Sequence, residues 1–261
     1  MPPAITTSPF TGARGCVSDI ATLALRVPLF PVDRTLQLAD VAAARDACPQ
    51  RIGWAALFLK AYALVAREMP ILRTWFSPGM VPRLVTVPHN VATLAVNRTE
   101  PTGDRLLFAR LRKPESESLP DIQKFINDCT TEPVNKMFKR QLELEMVPGA
   151  LRRTILRWNM RSRSAKRAAR IGTFSLSTLA GFGATNRFHP TLCTTSLSYG
   201  PLESDGRCIA TVIADHRVLD GSAVARALQW LEQAFRTDIV AELTALRSAP
   251  PAAAAPQRAA A

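Results

Sequence analysis

Apolar side chains recur along the chain at helical spacing in some segments and at strand spacing in others. Residues 52–68 are apolar on nearly every side, which predicts a helix buried in a core and ended by Pro70. A second long helix is predicted for residues 222–247, where six apolar positions mark one face: Val224, Leu228, Leu231, Phe235, Ile239 and Leu243. Shorter helices are predicted for residues 35–47, 119–129 and 136–146.

Segments of alternating or β-branched composition predict a set of strands between these helices. They cover residues 20–32, 81–96, 106–112, 172–179, 194–199 and 208–214. Strands and helices interleave without an internal repeat or a clear linker, which predicts one mixed domain over residues 22–247. Residues 1–21 are expected to form an extended lead, and the Ala/Pro-rich residues 248–261 a disordered tail.

The composition is that of a globular protein. Of the 261 residues, 47% are hydrophobic and 21% are charged, so the chain can build a sizeable core. This balance excludes a wholly disordered or collagen-like chain. No segment reaches the roughly 18 uncharged apolar residues of a membrane span, and residues 1–10 lack the basic and apolar regions of a secretory signal. A cytoplasmic location is therefore predicted.

The cysteines and histidines do not indicate a metal site or a disulfide framework. The five cysteines are odd in number, far apart and without a CxxC pair: Cys16, Cys48, Cys129, Cys193 and Cys208. We expect them to be free and mostly buried thiols. With only three histidines, a metal site built from protein ligands alone is not expected, and His89 and His189 are interpreted as structural.

Much of the positive charge lies in one segment. The net charge is +12, and residues 151–170 contain eight basic residues and no acidic one: Arg152, Arg153, Arg157, Arg161, Arg163, Lys166, Arg167 and Arg170. Four interpretations stay open. The simplest is a solvated face, and the second is an interfacial helix on anionic lipid. The two least favoured are a contact to ligand phosphates and nucleic-acid binding. Because Ile155 and Trp158 interleave with the arginines, we predict a helix that meets lipid headgroups at the inner face of the membrane.

One turn carries the residues best suited to catalysis. Residues 214–221 read ADHRVLDG, a pattern in which a strand ends near His216 and a helix begins after Asp220. A base at a strand end is held rigidly and can face a cleft, and histidine is the side chain best suited to general-base catalysis near neutral pH. Asp220 is expected to orient its neighbours or to cap the helix. Without other context, an incidental histidine in a surface turn explains the pattern equally well.

The segment DHRVLDG, residues 215–221, closely resembles the active-site signature of the catalytic domain of dihydrolipoyl acyltransferases from 2-oxoacid dehydrogenase complexes. Residues 172–183, GTFSLSTLAGFG, resemble the second signature of that family, and residues 52–68 resemble its long buried helix. The resemblance covers about residues 22–245. It implies an α/β fold of the chloramphenicol acetyltransferase type, a two-layer sandwich in which helices cover a mixed β-sheet, and a CoA-dependent acyltransferase activity.

The resemblance also implies roles for three residues. His216 matches the family's general base, which takes a proton from the acceptor. Ser177 matches the serine that donates a hydrogen bond to the tetrahedral oxyanion, and Asp220 matches an aspartate that supports the geometry of the site. The acyl group passes directly from acyl-CoA, which is therefore a substrate. Family members form trimers with the site at the subunit interface, which implies a homotrimer or a multiple of three.

The sequence departs from the family in ways that bear on its acceptor. The matching sequence begins near residue 22, so no lipoyl domain is expected before it, and the basic segment 151–170 stands where the family has a short connection. Ala180 replaces a usual glycine, and residues 188–191 replace an Asn-Pro segment. We therefore predict a freestanding transferase with a thiol, hydroxyl or amine acceptor. Two alternatives stay open: a core subunit acting on dihydrolipoamide, and a non-catalytic trimeric scaffold.

Overall fold

A mixed six-stranded sheet forms the centre of the computed structural model, which describes residues 5, 7, 10, 12–100 and 103–248. Eight strands lie in this part of the chain: β1 (Leu29–Gln37), β2 (Thr74–Ser77), β3 (Arg83–Thr86), β4 (Val91–Glu100), β5 (Gly103–Arg112), β6 (Phe174–Leu176), β7 (Thr195–Tyr199) and β8 (Arg207–Asp215). The large sheet has the order β1-β8-β7-β6-β4-β5, and β2 pairs with β3 in a separate hairpin. Strand β6 runs parallel to β4 and β7, whereas the other pairs are antiparallel, so the predicted mixed sheet is confirmed.

Ten α-helices lie in the same described residues: α1 (Gly12–Ala24), α2 (Ala39–Asp46), α3 (Trp54–Glu68), α4 (Leu119–Thr131), α5 (Val134–Met137), α6 (Lys139–Glu145), α7 (Gly149–Arg161), α8 (Lys166–Ile171), α9 (Gly221–Ala234) and α10 (Val240–Ser248). A π-helical turn, Phe235–Ile239, joins α9 to α10, so the predicted carboxy-terminal helix is confirmed with one widened turn. Among the described helices, none has both the length and the apolar character needed to cross a membrane.

One face of the large sheet carries the main core. Along β4, Ala92, Leu94 and Val96 are buried in this core, and the alternate residues point to the opposite face. Helix α3 lies in the core, where Phe58 stacks on Tyr199 with ring centroids 4.0 Å apart. Helices α4 and α9 pack beside α3. The buried helix predicted from its all-round apolar pattern is therefore confirmed.

A second group of helices covers part of the opposite face of the sheet. Helix α1 contacts β5, α6 and α7, and α7 in turn contacts α8. A smaller apolar cluster lies between these elements, with Leu23, Leu156, Ile171 and Leu192 buried in it. The predicted sheet covered by helices is thus confirmed. The second group of helices, on the opposite face of the sheet, is a feature that the sequence patterns did not reveal.

The amino-terminal segment differs from the sequence prediction. The extended lead predicted for residues 1–21 is wrong at residues 12–21, which belong to α1. The strand predicted over residues 20–32 begins only at Leu29. The buried side chains of α1 recur three or four residues apart, so one face of a helix can pack against α7 and the sheet. That packing outweighs the weak helical signal of the local sequence.

Two other boundaries also shift. The helix predicted for residues 35–47 begins at Ala39, because residues 35–37 complete β1 against β8. The basic segment 151–170 forms α7 and α8, separated by residues 162–165, and not one helix. Residues 249–261 of the predicted tail lie outside the described residues, and the domain limits at 22 and 247 stay predictions.

Candidate active site

The candidate base lies in the turn between β8 and α9. The backbone N–H of His216 donates a hydrogen bond to the carbonyl of Pro28 at 2.9 Å, which ties the turn to the residue before β1. The imidazole packs against Phe30, with ring centroids 4.6 Å apart, and 55% of the His216 side chain is exposed. The histidine therefore has a fixed backbone and a ring that a substrate can reach.

Asp220 lies beside this histidine. Its Oδ1 atom is 3.4 Å from Nδ1 of His216, so the carboxylate can orient the ring and leave Nε2 free for a substrate. Asp220 is the N-cap residue of α9, but its side chain makes no capping hydrogen bond, so the expected role as a side-chain cap is wrong. Because the carboxylate is mostly exposed, solvent weakens its electrostatic effect on the histidine.

A buried carboxylate fixes the turn from the other side of His216. Asp215 accepts hydrogen bonds from the backbone N–H, Nε and Nη2 of Arg217 at 3.0, 2.9 and 2.7 Å. The guanidinium of Arg217 lies over the ring of Phe76, 4.8 Å from its centroid. Sequence reasoning did not assign a role to Asp215 or Arg217, although both flank His216 in the motif. The spacing of a carboxylate and an arginine, one on each side of the candidate base, is the sequence signal that could have predicted this ion pair.

Ser177 directly follows β6. Its backbone N–H donates to the carbonyl of Leu197 at 3.0 Å, which continues the pairing of β6 with β7 by one residue. Its side chain lines a cavity on the face of the sheet opposite the main core. In the described part of the chain, no group forms a hydrogen bond with the Ser177 hydroxyl, which is therefore available as a donor.

The cavity beside Ser177 has a volume of about 730 Å³ and lies between the sheet and helices α1, α6 and α7. Most of its wall is apolar, with these side chains: Ile20, Leu106, Phe108, Leu144, Ile155, Leu156, Trp158 and Leu192. Ser175 and His189 also line the wall, on the same side as Ser177. Four charged side chains line other parts of the wall: Arg110, Arg140, Glu143 and Arg170. A cavity of this size and lining suits a largely apolar ligand that also carries polar groups.

His189 contributes a polar wall to this cavity. Its Nε2 atom is 2.6 Å from the hydroxyl of Ser196, and its Nδ1 atom is 3.2 Å from the amide nitrogen of Asn186. Burial lowers the pKa of His189 to about 4, so the ring is neutral at neutral pH. Because the Asn186 amide donates to Nδ1, the proton of the neutral ring lies on Nε2, and the ring donates to Ser196. This arrangement suits a structural hydrogen bond and agrees with the interpretation made from the sequence.

The structure brings His216 and Asp220 together but keeps Ser177 apart from both. Leu176 is level with Leu197, so Ser177 is level with Ser198, which pairs with Thr211 five residues before His216. At about 3.3 Å per residue along a strand and about 4.8 Å between strands, the Cα atoms of Ser177 and His216 are roughly 19 Å apart within one chain. A single chain therefore does not place the candidate base and the candidate oxyanion donor on one reacting group.

No family model and no curated protein matches the sequence. Solved structures do match. The chain has the fold of dihydrolipoamide acetyltransferase catalytic cores. A probable dihydrolipoamide acetyltransferase from Listeria monocytogenes 4b F2365 superposes with a TM-score of 0.65 and 15% identity, covering 89% of this chain and 95% of that one. The truncated catalytic core of the 2-oxoacid dehydrogenase complex from Thermoplasma acidophilum gives 0.65 and 16%, covering 90% and 99%.

A third structure is the dihydrolipoamide acetyltransferase of Azotobacter vinelandii, with a TM-score of 0.60 and 19% identity over 94% of this chain and 98% of that one. Crystallographic and enzymatic work on that enzyme addresses the role of a serine, a histidine and an asparagine in its catalytic mechanism. At these identities the likeness establishes the fold, which is the one that the resemblance of the two sequence signatures implied.

The basic segment 151–170 is less free than its charge suggests. Five of its eight basic side chains form ion pairs or hydrogen bonds with other parts of the chain or, for the last of them, with Asn159 of the same segment: Arg152, Arg153, Arg163, Arg167 and Arg170. The acid that pairs with the first two is Asp19 on α1, 133 residues before Arg152. A local count of charges could not reveal this partner. The predicted contact with anionic lipid stays a prediction, and fewer charges are available for it.

The structure also bears on the cysteines and on possible metal ligands. All five cysteines are free, and four of them are buried, as predicted. Within residues 12–100 and 103–248, no three His, Cys, Asp or Glu side chains are grouped so that they could hold a metal ion.

Proposed function

We propose that the protein is an acyltransferase that moves an acyl group from acyl-CoA to a thiol, hydroxyl or amine acceptor. The observation that carries this proposal is the position of His216, which is anchored through its backbone, exposed, and oriented by Asp220 at 3.4 Å. The Azotobacter vinelandii enzyme offers a parallel, because its asparagine lies four positions after its histidine, as Asp220 lies four after His216.

In the proposed reaction, Nε2 of His216 takes the proton from the acceptor while the sulfur, oxygen or nitrogen atom of the acceptor attacks the thioester carbon. The carbonyl oxygen becomes an oxyanion, and the hydroxyl of Ser177 donates a hydrogen bond to it. The tetrahedral intermediate then breaks its C–S bond, and the leaving thiolate of coenzyme A takes the proton from the His216 imidazolium. The bond between the acyl carbon and the acceptor forms, the thioester bond of acyl-CoA breaks, and no acyl-enzyme is needed.

We propose that two copies of the chain complete each site, with His216 from one copy and Ser177 from its neighbour, in a homotrimer or a multiple of three. The separation of the two residues within one chain supports this arrangement, and so do apolar side chains that lie exposed soon after Ser177. They are Leu179, Phe182 and Phe188. Exposed apolar side chains grouped at one place are typical of a surface that a partner covers.

The cavity that Ser177 lines supports a largely apolar acceptor or acyl chain. Most of its wall is apolar and comes largely from helices α1, α6 and α7, and its polar groups include Ser177 and the charged side chains of Arg110 and Arg140. This largely apolar lining favours a freestanding transferase over the two alternatives, a core subunit that acts on dihydrolipoamide and a non-catalytic scaffold.

The test is release of free coenzyme A from acetyl-CoA and octanoyl-CoA, separated from the acceptor by chromatography and measured with no acceptor, with dihydrolipoamide, and with a long-chain alcohol or amine. We expect release that depends on the acceptor and is faster with the apolar alcohol or amine than with dihydrolipoamide. Faster release with dihydrolipoamide would instead support the core-subunit alternative. If no acceptor raises release above the rate in buffer, the proposed activity is wrong and the scaffold alternative holds.

A further inference from the structure

A second, smaller pocket lies next to the turn that carries His216. It has a volume of about 130 Å³ and is bounded by the end of α1, by the segment after β2, by α7 and α8, and by the β8–α9 turn. Five arginines line it: Arg26, Arg157, Arg161, Arg167 and Arg217. Asp215 is the single acidic residue among the lining residues. The pocket therefore has a strong excess of positive charge.

Arg167 is the unusual member of this group, because it is buried and incompletely paired. Only 4% of the residue is exposed. Its Nη2 atom donates to the carbonyl of Leu192 at 3.2 Å, and its guanidinium lies 4.7 Å from the centroid of the Trp75 ring. Its Nε and Nη1 atoms have no hydrogen-bond partner in the described structure. Burial lowers the pKa of Arg167 to about 10, so the group remains charged at neutral pH.

The chain itself supplies no adequate counter-ion for this charge. Asp215 is already held by three hydrogen bonds from Arg217, two of them from the guanidinium. Arg26, Arg157 and Arg161 form no ion pair in the described part of the chain. A buried charge without a partner is costly, and an anion that enters the pocket would provide the missing partner.

We propose that this pocket binds a phosphoryl group, which accepts hydrogen bonds from Nε and Nη1 of Arg167 and is surrounded by Arg157 and Arg161. Several arginines around a small pocket favour an anion with several oxygen atoms and more than one charge, and the planar guanidinium suits phosphate oxygens. The site belongs to the basic segment 151–170 and lies beside Asp215 and Arg217, the chain neighbours of His216. The phosphoryl group can therefore come from coenzyme A, an assignment that rests on the proposed function, from free phosphate or pyrophosphate, or from a lipid headgroup.

The binding test uses sodium pyrophosphate as the probe and isothermal titration calorimetry as the readout, with sodium chloride at matched ionic strength as the reference. The deciding variant is Arg161→Gln, because Arg161 is exposed and its replacement leaves the core intact. Lys166→Gln is the matched control, since Lys166 is an exposed cation of the same segment that does not line the pocket. Arg167→Gln is measured as well, after circular dichroism has established that it folds.

We expect wild type and Lys166→Gln to bind pyrophosphate equally, and Arg161→Gln to bind it about tenfold more weakly, as for loss of one charge-assisted hydrogen bond. Equal affinity of Arg161→Gln and Lys166→Gln would overturn the proposal, and so would a wild type that binds no pyrophosphate. These measurements do not depend on turnover, so a failure of the proposed acyltransferase activity leaves their outcome unaffected.

Further arms of the same experiment identify the source of the phosphoryl group. If coenzyme A supplies it, Arg161→Gln weakens binding of coenzyme A but not of pantetheine, which has no phosphate. If lipid supplies it, wild type and Lys166→Gln sediment with phosphatidylglycerol vesicles but Arg161→Gln does not, and none of the three proteins sediments with phosphatidylcholine vesicles. If only pyrophosphate distinguishes the variants, the ligand is a free phosphate compound. Each of these three results supports the phosphoryl site.

Discussion

Replacing His216 with alanine is expected to lower acyl-CoA turnover about 10²–10⁴-fold, the usual contribution of a positioned general base. The fold should remain intact, because the imidazole is largely exposed and contacts Phe30 and Asp220 at the surface of the turn. The backbone hydrogen bond to Pro28 does not depend on the side chain. The measurement is the initial rate of coenzyme A thiol release, with thermal melting as the check on folding.

His89→Ala is the matched control for this variant. His89 is also exposed, lies between β3 and β4, and lines neither of the two pockets. Its replacement should leave the rate unchanged. Turnover by His216→Ala at the wild-type rate would remove His216 from the mechanism and with it the main support for the proposed function.

A large loss of stability is expected from a change at Asp19 on α1, outside the main core. Its carboxylate contacts Nε of Arg152 at 2.6 Å and Nη1 of Arg153 at 3.1 Å, and the side chains of Asp19 and Arg152 are only 5% and 7% exposed. Asp19→Ala leaves the buried guanidinium of Arg152 without its counter-ion. Removal of one partner from a buried ion pair costs about 3–5 kcal/mol, so the free energy of unfolding in urea should fall by that amount.

Two further variants distinguish this cause from a general loss of contacts. Asp128→Asn removes a carboxylate from an exposed pair with Lys124 on α4 and should cost less than about 1 kcal/mol. Asp19→Leu combined with Arg152→Met replaces both charges with apolar groups and should recover much of the lost stability. An Asp19→Ala variant as stable as Asp128→Asn would show that α1 is not held to α7 by this pair.

The sequence was sufficient for the elements whose stability comes from their own periodicity. Helix α3 is apolar on all sides because it lies inside the core, and the strand β8 and helix α9 around His216 carry regular patterns. The glycine and turn residues between them marked the motif. These local signals also carried the resemblance that implied the fold.

The rest depended on contacts between distant segments. Helix α1 looked like an extended lead, because its stability comes from packing on α7 and from Asp19, whose partner Arg152 is 133 residues away. The cavity is likewise formed by three helices from separate segments and was not predictable from any one of them. The separation of Ser177 from His216 follows from strand register, which the residue pattern of either strand alone does not contain.

The central claim is that His216 and Ser177 of two neighbouring copies form one acyltransferase site. It is tested most directly by co-expressing His216→Ala and Ser177→Ala chains with different affinity tags, purifying the mixed oligomers through both tags, and measuring coenzyme A thiol release. Each variant alone should be nearly inactive. A homotrimer that carries both tags has one site in three that combines an intact His216 with an intact Ser177, so about a third of the wild-type activity should return. Mixed oligomers as inactive as the two parents, or a mixture that yields only separate monomers, would contradict the account.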